Sequence, residues 1–226
     1  MQNSIINNEL NWNTIAKSFD KTRQKPWSLC IDFIEKLSKN NIVLDIGCGN
    51  GRHSIPCTKT VKHVISLDIS IEFLNIILNK KIDNISLIQS NFQFLPLKNN
   101  SIDAALFIAS LHNINKRKNR IACLIELNRV LKDNGMALIS VWSKWQDKYR
   151  KHFLKKFFYL NNLDEHGDII IYWKKDNLKI PRFYHLYGKK EFINDIKSSG
   201  LNIIKIYDIK LSSNKYIDNY FALVEK

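Results

Sequence analysis

"NIVLDIGCGNG" (Asn41–Gly51) decides the fold class of this 226-residue chain. Its first half is apolar and rich in β-branched residues, which predicts a short strand from Ile42 to Ile46. Its second half has glycine at every second position, which predicts a tight turn whose backbone can approach a ligand closely. A helix is expected next, and the first N–H groups of a helix have no partner within it. The stretch therefore predicts a strand–loop–helix unit with a ligand at the loop.

Strands and helices alternate beyond this unit. Helices are predicted at about 71–80 and 118–131, with Ser70 as the N-cap of the first. The alternation over 42–142 predicts a Rossmann-like α/β fold, a doubly wound and mostly parallel sheet. The four strands after Ile46 are predicted in "HVISLDIS", "ISLIQSN", "SIDAALFIAS" and "NGMALISVWS".

The remaining segments predict additions to one domain that spans the whole chain. Residues 1–40 are mostly helical in pattern and form an N-terminal cover, and residues 144–188 form a basic, aromatic insertion that binds substrate. A helix is expected at 189–199, before two strands at 201–208 and 217–225 that pair in antiparallel fashion.

The charge balance is strongly basic. The chain has 35 Lys and Arg against 21 Asp and Glu, a net charge of +14. Such an excess favours a polyanionic partner, most often nucleic acid. A genome biased toward Lys, Asn and Ile codons is the alternative explanation.

Cysteine and histidine patterns predict neither disulfides nor a metal site. The four cysteines form no CxxC pair and the six histidines have no ligand spacing. Residues 1–10 are polar, which predicts no signal peptide, and no run approaches the ~20 apolar residues of a membrane span. We expect a reduced, metal-free protein of the cytoplasm, with the nucleus as the alternative compartment.

Two acids, one directly before the glycine loop and one at the end of the next strand, indicate the ligand of the loop. Asp45 precedes the loop and would repel a pyrophosphate, but it can hold a cationic group; the third glycine also comes one residue too early for a dinucleotide site. Asp68, at the end of the second strand, can accept hydrogen bonds from a ribose diol. The combination predicts S-adenosylmethionine (AdoMet), rather than a dinucleotide or an empty turn.

The adenine of that cofactor is expected near the third strand. The amide oxygen of Asn91 can accept from the adenine amino group, and Phe92 can lie against the ring, although a core position is its alternative. The predicted cofactor-binding residues are Asp45, Gly47, Cys48, Gly49, Gly51, Asp68, Ile69, Asn91, Phe92 and Ile108.

With these motifs in view, the chain resembles the class I AdoMet-dependent methyltransferases. More narrowly, it resembles the tRNA wobble-uridine carboxymethyl methyltransferases of eukaryotes and archaea, which esterify 5-carboxymethyluridine in the anticodon. Besides the loop, the resemblance is carried by "FDKTRQKPW", "NFQFLPL", "SIDAALFIASLHNI", "ELNRVLKDNGMALISVW", "VWSKWQ", "GDIIIYWK", "RFYHLY" and "NYFALVEK".

The resemblance implies a seven-stranded sheet with an antiparallel last strand. It also implies a heterodimer with a small zinc-binding activator subunit, which docks on the sheet edge, and a tRNA anticodon loop as the other partner. The chain departs from the family in having Asn91 where an aspartate is usual and His112-Asn113 where two histidines are usual. These departures put detailed residue roles in doubt and leave the fold unaffected.

The implied acceptor needs no general base. A carboxyl group has a pKa of about 4, so it is ionised at neutral pH. Catalysis then rests on positioning, with S-adenosylhomocysteine as the second product. The residues predicted to hold the acceptor carboxylate are His112, Arg23 and Arg182.

Further residues are predicted to bind the substrate nucleotide and tRNA. Each also has a structural explanation that involves no substrate. Lys25 can be a surface charge, Trp142 a core residue, His185 a structural residue, and the basic run after Trp142 a solvated face. The substrate-binding residues are predicted to be Lys25, Trp142, His185, Lys148, Arg150 and Lys151. Two other functions stay open at this point, a methyltransferase of a small lipid or quinone and a non-catalytic module that binds AdoMet or tRNA.

Overall fold

The computed structural model describes residues 8–156 and 165–226. Residues 1–7 of the predicted cover and 157–164 of the predicted insertion lie outside the described residues. A seven-stranded sheet has the order β3-β2-β1-β4-β5-β9-β8. Its strands are β1 (Ile42–Ile46), β2 (His63–Asp68), β3 (Ile85–Gln89), β4 (Ile102–Ile108), β5 (Leu131–Trp142), β8 (Asn202–Ile209) and β9 (Asn219–Glu225).

The strand directions confirm the predicted fold class. Strands β1 to β5 pair in parallel, and β9 runs antiparallel to both β5 and β8. Strand β4 lies near the middle of the sheet with both faces covered, which explains its nearly continuous apolar sequence. The chain moves outward from β1 to β3 and then returns to β4, so a crevice opens between the carboxyl ends of β1 and β4.

Helices pack on both faces of the sheet. The Ser70 hydroxyl accepts from the Phe73 N–H at 3.3 Å, which confirms the predicted N-cap. The helices are α1 (Asn8–Asp20), α2 (Ser28–Ile34), α3 (Ser54–Thr58), α4 (Ile71–Leu78), α5 (Arg117–Val130), α6 (Arg150–Lys156) and α7 (Lys189–Ser198). Within the described residues, no helix is both long enough and apolar enough to cross a membrane.

The predicted insertion contains a two-stranded hairpin that the sequence patterns did not reveal. Strands β6 (Asp168–Trp173) and β7 (Ile180–His185) pair in antiparallel fashion, apart from the main sheet. Asp176 and Asn177 form the turn with φ of +51° and +58°, a conformation that Asp and Asn tolerate better than most residues. The hairpin lies against α1 and the 3-10 turn at 111–113.

Helix α1 is tied to both sides of the crevice. The Asn13 side-chain oxygen accepts from the Ser70 hydroxyl at 2.7 Å, which joins α1 to the start of α4. The indole N–H of Trp173 donates to the Ser18 hydroxyl at 2.9 Å, which joins α1 to the hairpin. As a result, α1 forms a cover over a cleft of about 350 Å³ at the carboxyl edge of the sheet, a size typical of small-molecule sites.

Candidate active site

The glycine loop forms the floor of the cleft. Gly47 has φ of +70°, and a Cβ there would lie 2.3 Å from the Ser110 hydroxyl oxygen, so only glycine fits. Gly49 has φ of +54°, but a Cβ there would meet only Phe19, at 4.0 Å. The space above Gly49 is therefore open to the cleft, and an extended ligand can pass directly over the backbone.

The two predicted acids occupy different places. The Asp68 carboxylate lines the cleft and accepts from the N–H groups of Gly49 and Ser70, both at 2.9 Å. Asp45 lies behind the loop, outside the cleft lining, and accepts from the Ser54 hydroxyl at 2.6 Å. Burial raises the pKa of Asp68 to about 6 and that of Asp45 to about 7. Asp68 is thus the acid available to a ribose diol.

The opposite wall offers an apolar surface for an adenine ring. Phe92 lines the cleft and packs edge-to-face on Phe107 with centroids 5.6 Å apart, so it belongs to both core and cleft. Asn91 lines the cleft as well, and its side-chain oxygen already accepts from the Gln93 N–H at 2.7 Å. The predicted cofactor-binding residues that line the cleft are Gly47, Cys48, Gly49, Asp68, Ile69, Asn91, Phe92 and Ile108. Asp45 and Gly51 do not.

Arg52 also lines the cleft, and the sequence patterns gave it no role. Its guanidinium lies 4.5 Å from the Trp27 ring centroid and has no carboxylate partner within the described residues. Burial lowers its pKa to about 10, so the group stays protonated at neutral pH. Arg52 is therefore available to the carboxylate of a methionine-like ligand end, and Arg23 lines the same cleft close to it.

A second arginine stands at the other end of the cleft. Arg182, on β7, is 8% exposed and donates to the Tyr184 hydroxyl at 2.6 Å. Its Nε has no hydrogen-bond partner, and in the part of the chain that the structure describes no carboxylate pairs with it. The rings of Trp12, Trp173 and Tyr184 lie 5.1 to 5.5 Å from the guanidinium carbon. A buried cation with only aromatic neighbours is compensated in part and fits an anionic ligand.

His112 is fully buried beside this arginine. Its Nδ1 accepts from the Trp142 backbone N–H at 3.0 Å. Burial, together with the nearby charges of His185 and Arg182, lowers the pKa of His112 to about 3. The ring is therefore neutral with its proton on Nε2, which makes it a hydrogen-bond donor toward a ligand.

Trp142 is part of an aromatic stack and is not a fully open platform. Its ring is nearly parallel to that of Tyr184, with centroids 5.0 Å apart and an interplanar angle of 13°. His112 lies 5.3 Å from both rings. A substrate base cannot use the face of Trp142 that Tyr184 covers.

Tyr184 and Asn113 also line the cleft, and the sequence patterns gave neither of them a role. The Tyr184 hydroxyl accepts from Arg182, so its own proton remains available to another acceptor. Asn113 is buried beside Tyr184, and its Nδ2 has no partner in hydrogen-bond geometry among residues 8–156 and 165–226. With His112 and Arg182, these groups form a cluster of hydrogen-bond donors that lines the cleft.

Several predicted substrate residues lie outside the cleft lining. Of the predicted acceptor set, Arg23, His112, Trp142 and Arg182 line it, whereas Lys25, Lys148, Arg150, Lys151 and His185 do not. His185 hydrogen-bonds Asp168 and Glu191, both at 2.7 Å. Burial opposes the charge of His185, but these two carboxylates raise its pKa overall, and this geometry supports a structural role.

Comparisons with known proteins agree with this architecture. A family model described as a methyltransferase domain matches residues 44–139. The chain is 30% identical to an uncharacterised protein of Methanocaldococcus jannaschii, covering 90% of this chain and 79% of that protein. It is 25% identical to the tRNA (carboxymethyluridine(34)-5-O)-methyltransferase of Schizosaccharomyces pombe, covering 95% of this chain and 94% of that protein.

Solved structures share the fold at lower sequence identity. A SAM-dependent methyltransferase of Methanosarcina mazei superposes with a TM-score of 0.74 at 20% identity, covering 89% of this chain and 98% of that chain. A chain from a complex between the Haloferax volcanii Trm112 methyltransferase activator and a methyltransferase superposes with a TM-score of 0.70 at 13% identity, covering 96% of each. At these identities the similarity establishes the fold alone.

Proposed function

The chain belongs to the class I AdoMet-dependent methyltransferases, and on that premise we propose that its acceptor is the carboxylate of 5-carboxymethyluridine at the wobble position of a tRNA. When bound, AdoMet would supply the methyl group: an acceptor oxygen bonds to the methyl carbon as the bond from that carbon to the sulfonium sulfur breaks, which gives a methyl ester and S-adenosylhomocysteine. The fission-yeast relative is named for methylation of this carboxymethyluridine.

The proposal rests on the unpaired, buried charge of Arg182. Its charge is buried, lies in the cleft and has no carboxylate partner within the described residues. Burying such a charge costs free energy that a substrate carboxylate offsets by binding it. The planar guanidinium can offer two N–H groups to one carboxylate, as a lysine cannot. A neutral quinone or lipid acceptor would leave the charge without a partner.

The neighbours of Arg182 complete the binding of a carboxylate. Nε2–H of neutral His112 and the hydroxyl of Tyr184 can each donate one hydrogen bond to an acceptor oxygen. Neither group has to accept a proton, because a carboxylate is already ionised at neutral pH. These residues therefore act by orientation, which leaves one oxygen directed at the methyl group.

Methylation of defined tRNA tests the proposal. The purified chain, with a candidate activator subunit, is incubated with methyl-labelled AdoMet and tRNA that bears 5-carboxymethyluridine. We expect label that alkali releases, as a methyl ester requires. The matched control is the same tRNA transcript with unmodified uridine at that position, which should incorporate none. Equal label on both RNAs, or label that resists alkali, would exclude the carboxylate as the acceptor.

The free edge of the sheet at β3 is a surface on which a partner subunit can dock. Within the described residues β3 pairs with β2 alone, and its sequence "ISLIQ" contains no charge. Phe94 and Leu78 nearby are 76% and 63% exposed. The other edge, β8, carries an irregular register at Lys205, a device that discourages strand pairing. We propose that a small zinc-binding activator subunit covers the β3 edge and forms a heterodimer with this chain.

Co-purification tests the heterodimer. Phe94→Asp places a charge on the apolar surface beside β3, so we expect it to abolish capture of a tagged activator subunit. Ile204→Asp is the matched control, because Ile204 is 48% exposed and lies on β8, the opposite edge strand of the sheet. Equal capture by both variants would show that the activator does not use this edge.

A further inference from the structure

The loop between β8 and β9 (210–218) lies at the same edge of the sheet as the cleft. Strand β8 runs parallel to β5, because β9 is antiparallel to both. The loop therefore leaves the carboxyl end of β8 and enters β9 beside Trp142, the last residue of β5. The segment that follows β5 (143–151) is its direct neighbour, as shown by the Ser143 N–H donating to Asp218 at 2.9 Å.

Two carboxylates hold six consecutive backbone N–H groups of this loop. Asp218 accepts from Leu211, Ser212 and Ser213 at 2.8, 2.6 and 2.7 Å. Asp147, in the segment after β5, accepts from Asn214, Lys215 and Tyr216 at 2.9, 3.1 and 2.9 Å. The hydrogen bonds from Lys215, Tyr216 and Asn214 lower the pKa of Asp147, so it is ionised at neutral pH. The loop is fixed in one conformation and joined to the segment after β5.

The fixed loop presents several cations, of which Lys210 donates to the Asn214 carbonyl at 3.3 Å and lies close enough to Asp147 to help lower the pKa of that carboxyl. Arg150 lies over the Tyr216 ring at 4.1 Å, and Lys215 lies 5.4 Å from the same centroid. We call the following set the basic rim: Lys148, Arg150, Lys151, Lys210 and Lys215. In the ranges that the structure describes, none of the five forms an ion pair, since the loop backbone engages Asp147 and Asp218.

We infer that the basic rim, and the β8–β9 loop in particular, binds the phosphate backbone of the RNA whose nucleotide enters the cleft. The inference rests on the proposed function and extends the RNA-binding surface to a loop that the sequence patterns did not indicate. Like charges that are held close together destabilise the fold unless an anion neutralises them. A preorganised cationic loop lowers the entropy cost of that binding, and phosphates beside the target nucleotide lie at the same edge.

Neutralising the loop lysines tests the inference. The double variant Lys210→Gln/Lys215→Gln is compared with Lys39→Gln/Lys62→Gln, which removes the same charge. Lys39 and Lys62 precede β1 and β2, so they lie at the opposite edge of the sheet. The dissociation constant for fluorescent tRNA is measured by anisotropy over a range of KCl concentrations, and S-adenosylhomocysteine binding confirms that each variant is folded.

We expect the loop variant to bind tRNA about 10-fold more weakly and the slope of log Kd against log salt to fall by about 1.4 to 1.8, as loss of two phosphate contacts requires. The control variant should change the dissociation constant less than about 2-fold. Equal effects of the two variants would overturn the inference but not the proposed function. A native chain that binds no tRNA would overturn both.

Asp147→Ala separates loop geometry from bulk charge. The variant makes the chain more positive by one charge, so attraction alone would tighten RNA binding. Because the substitution also releases the N–H groups of residues 214–216, we expect weaker binding of tRNA, by about 3-fold or more. Tighter binding would show that a fixed loop is not needed. Loss of activator capture with unchanged tRNA binding would assign the rim to protein docking.

Discussion

Arg182→Met should separate acceptor binding from catalysis. The variant keeps much of the side-chain volume but removes the guanidinium that lies among Trp12, Trp173 and Tyr184. Two hydrogen bonds to a carboxylate are lost, and each contributes roughly 1.5 to 3 kcal/mol when the groups are charged. Taking the lower figure twice gives about 3 kcal/mol, or about 100-fold in kcat/KM, since 1.36 kcal/mol is tenfold.

The loss should fall on KM. The carboxylate charge is present in the bound substrate and decreases as the methyl group is transferred, so Arg182 stabilises the ground state at least as well as the transition state. Removing it should raise KM about 100-fold and change kcat only a few-fold. Steady-state kinetics with tRNA that bears 5-carboxymethyluridine checks both values. A large loss of kcat at unchanged KM would refute the assignment of Arg182 as a binding residue.

Thermal unfolding of the same variant distinguishes a binding role from a structural one. Arg182 is buried without a carboxylate partner, so its removal relieves a desolvation cost that outweighs the lost hydrogen bond to Tyr184 and the lost contacts with three aromatic rings. We expect the melting temperature of the free chain to stay the same or to rise. A fall of more than a few degrees would show that the guanidinium supports the fold.

Further outcomes follow for His112, Arg52 and Asp45. His112→Gln should lower kcat/KM by about 10-fold, as expected for one lost hydrogen bond to a charged group, without abolishing turnover; complete loss with intact tRNA binding would show that a base is needed. Because burial lowers the pKa of His112 to about 3, no histidine step from this residue should appear in the rate profile between pH 5 and 8. Arg52→Gln should weaken the binding of S-adenosylhomocysteine about 10-fold, as measured by calorimetry. The affinity for methylthioadenosine, which lacks the amino-acid end, should stay unchanged. Equal losses of affinity for both ligands would show that Arg52 does not bind the amino-acid end. Burial raises the pKa of Asp45 from 3.8 to about 7, so the folded chain keeps a proton that the unfolded chain releases, and stability should fall as pH rises from about 4 to 7. Asp45→Asn should flatten that fall in denaturant titrations, and an unchanged pH dependence would contradict the raised pKa.

The glycine loop and the strands around it could be predicted because their patterns are local. Alternating apolar strands and helices fix a parallel sheet, and the loop after β1 must then lie at its carboxyl edge. The pattern also placed Asp68 correctly at the end of β2, in the cleft. From sequence alone, Asp45 was as good a candidate for ligand binding as Asp68. The hydrogen bond from Ser54, which depends on tertiary packing, shows that the Asp45 carboxylate points away from the ligand side of the loop.

The β6–β7 hairpin, which carries Arg182 and Tyr184, is the part of the site that the sequence patterns did not predict. Its β-branched run "DIIIYW" and the turn at Asp176-Asn177 were signals of two strands, obscured by the surrounding lysines. Had β7 been recognised, its period of two would have placed Tyr184 on the same face as Arg182. That this face lies against α1 is set by tertiary contacts, which no local pattern encodes.

The cover helix gives the two ligands a common wall. Asn13 attaches α1 to the α4 end of the cleft, Ser18 attaches it to the hairpin, and Trp12 lies 5.5 Å from Arg182. A ligand that contacts α1 at one end of the cleft would therefore also stabilise the wall that the second ligand contacts. If the second ligand is the RNA that we propose, linkage works in both directions by the same factor: whatever AdoMet adds to the affinity for RNA, RNA adds to the affinity for AdoMet. Release of the methylated RNA and of S-adenosylhomocysteine would accordingly promote one another, so that turnover ends with both sites emptied together.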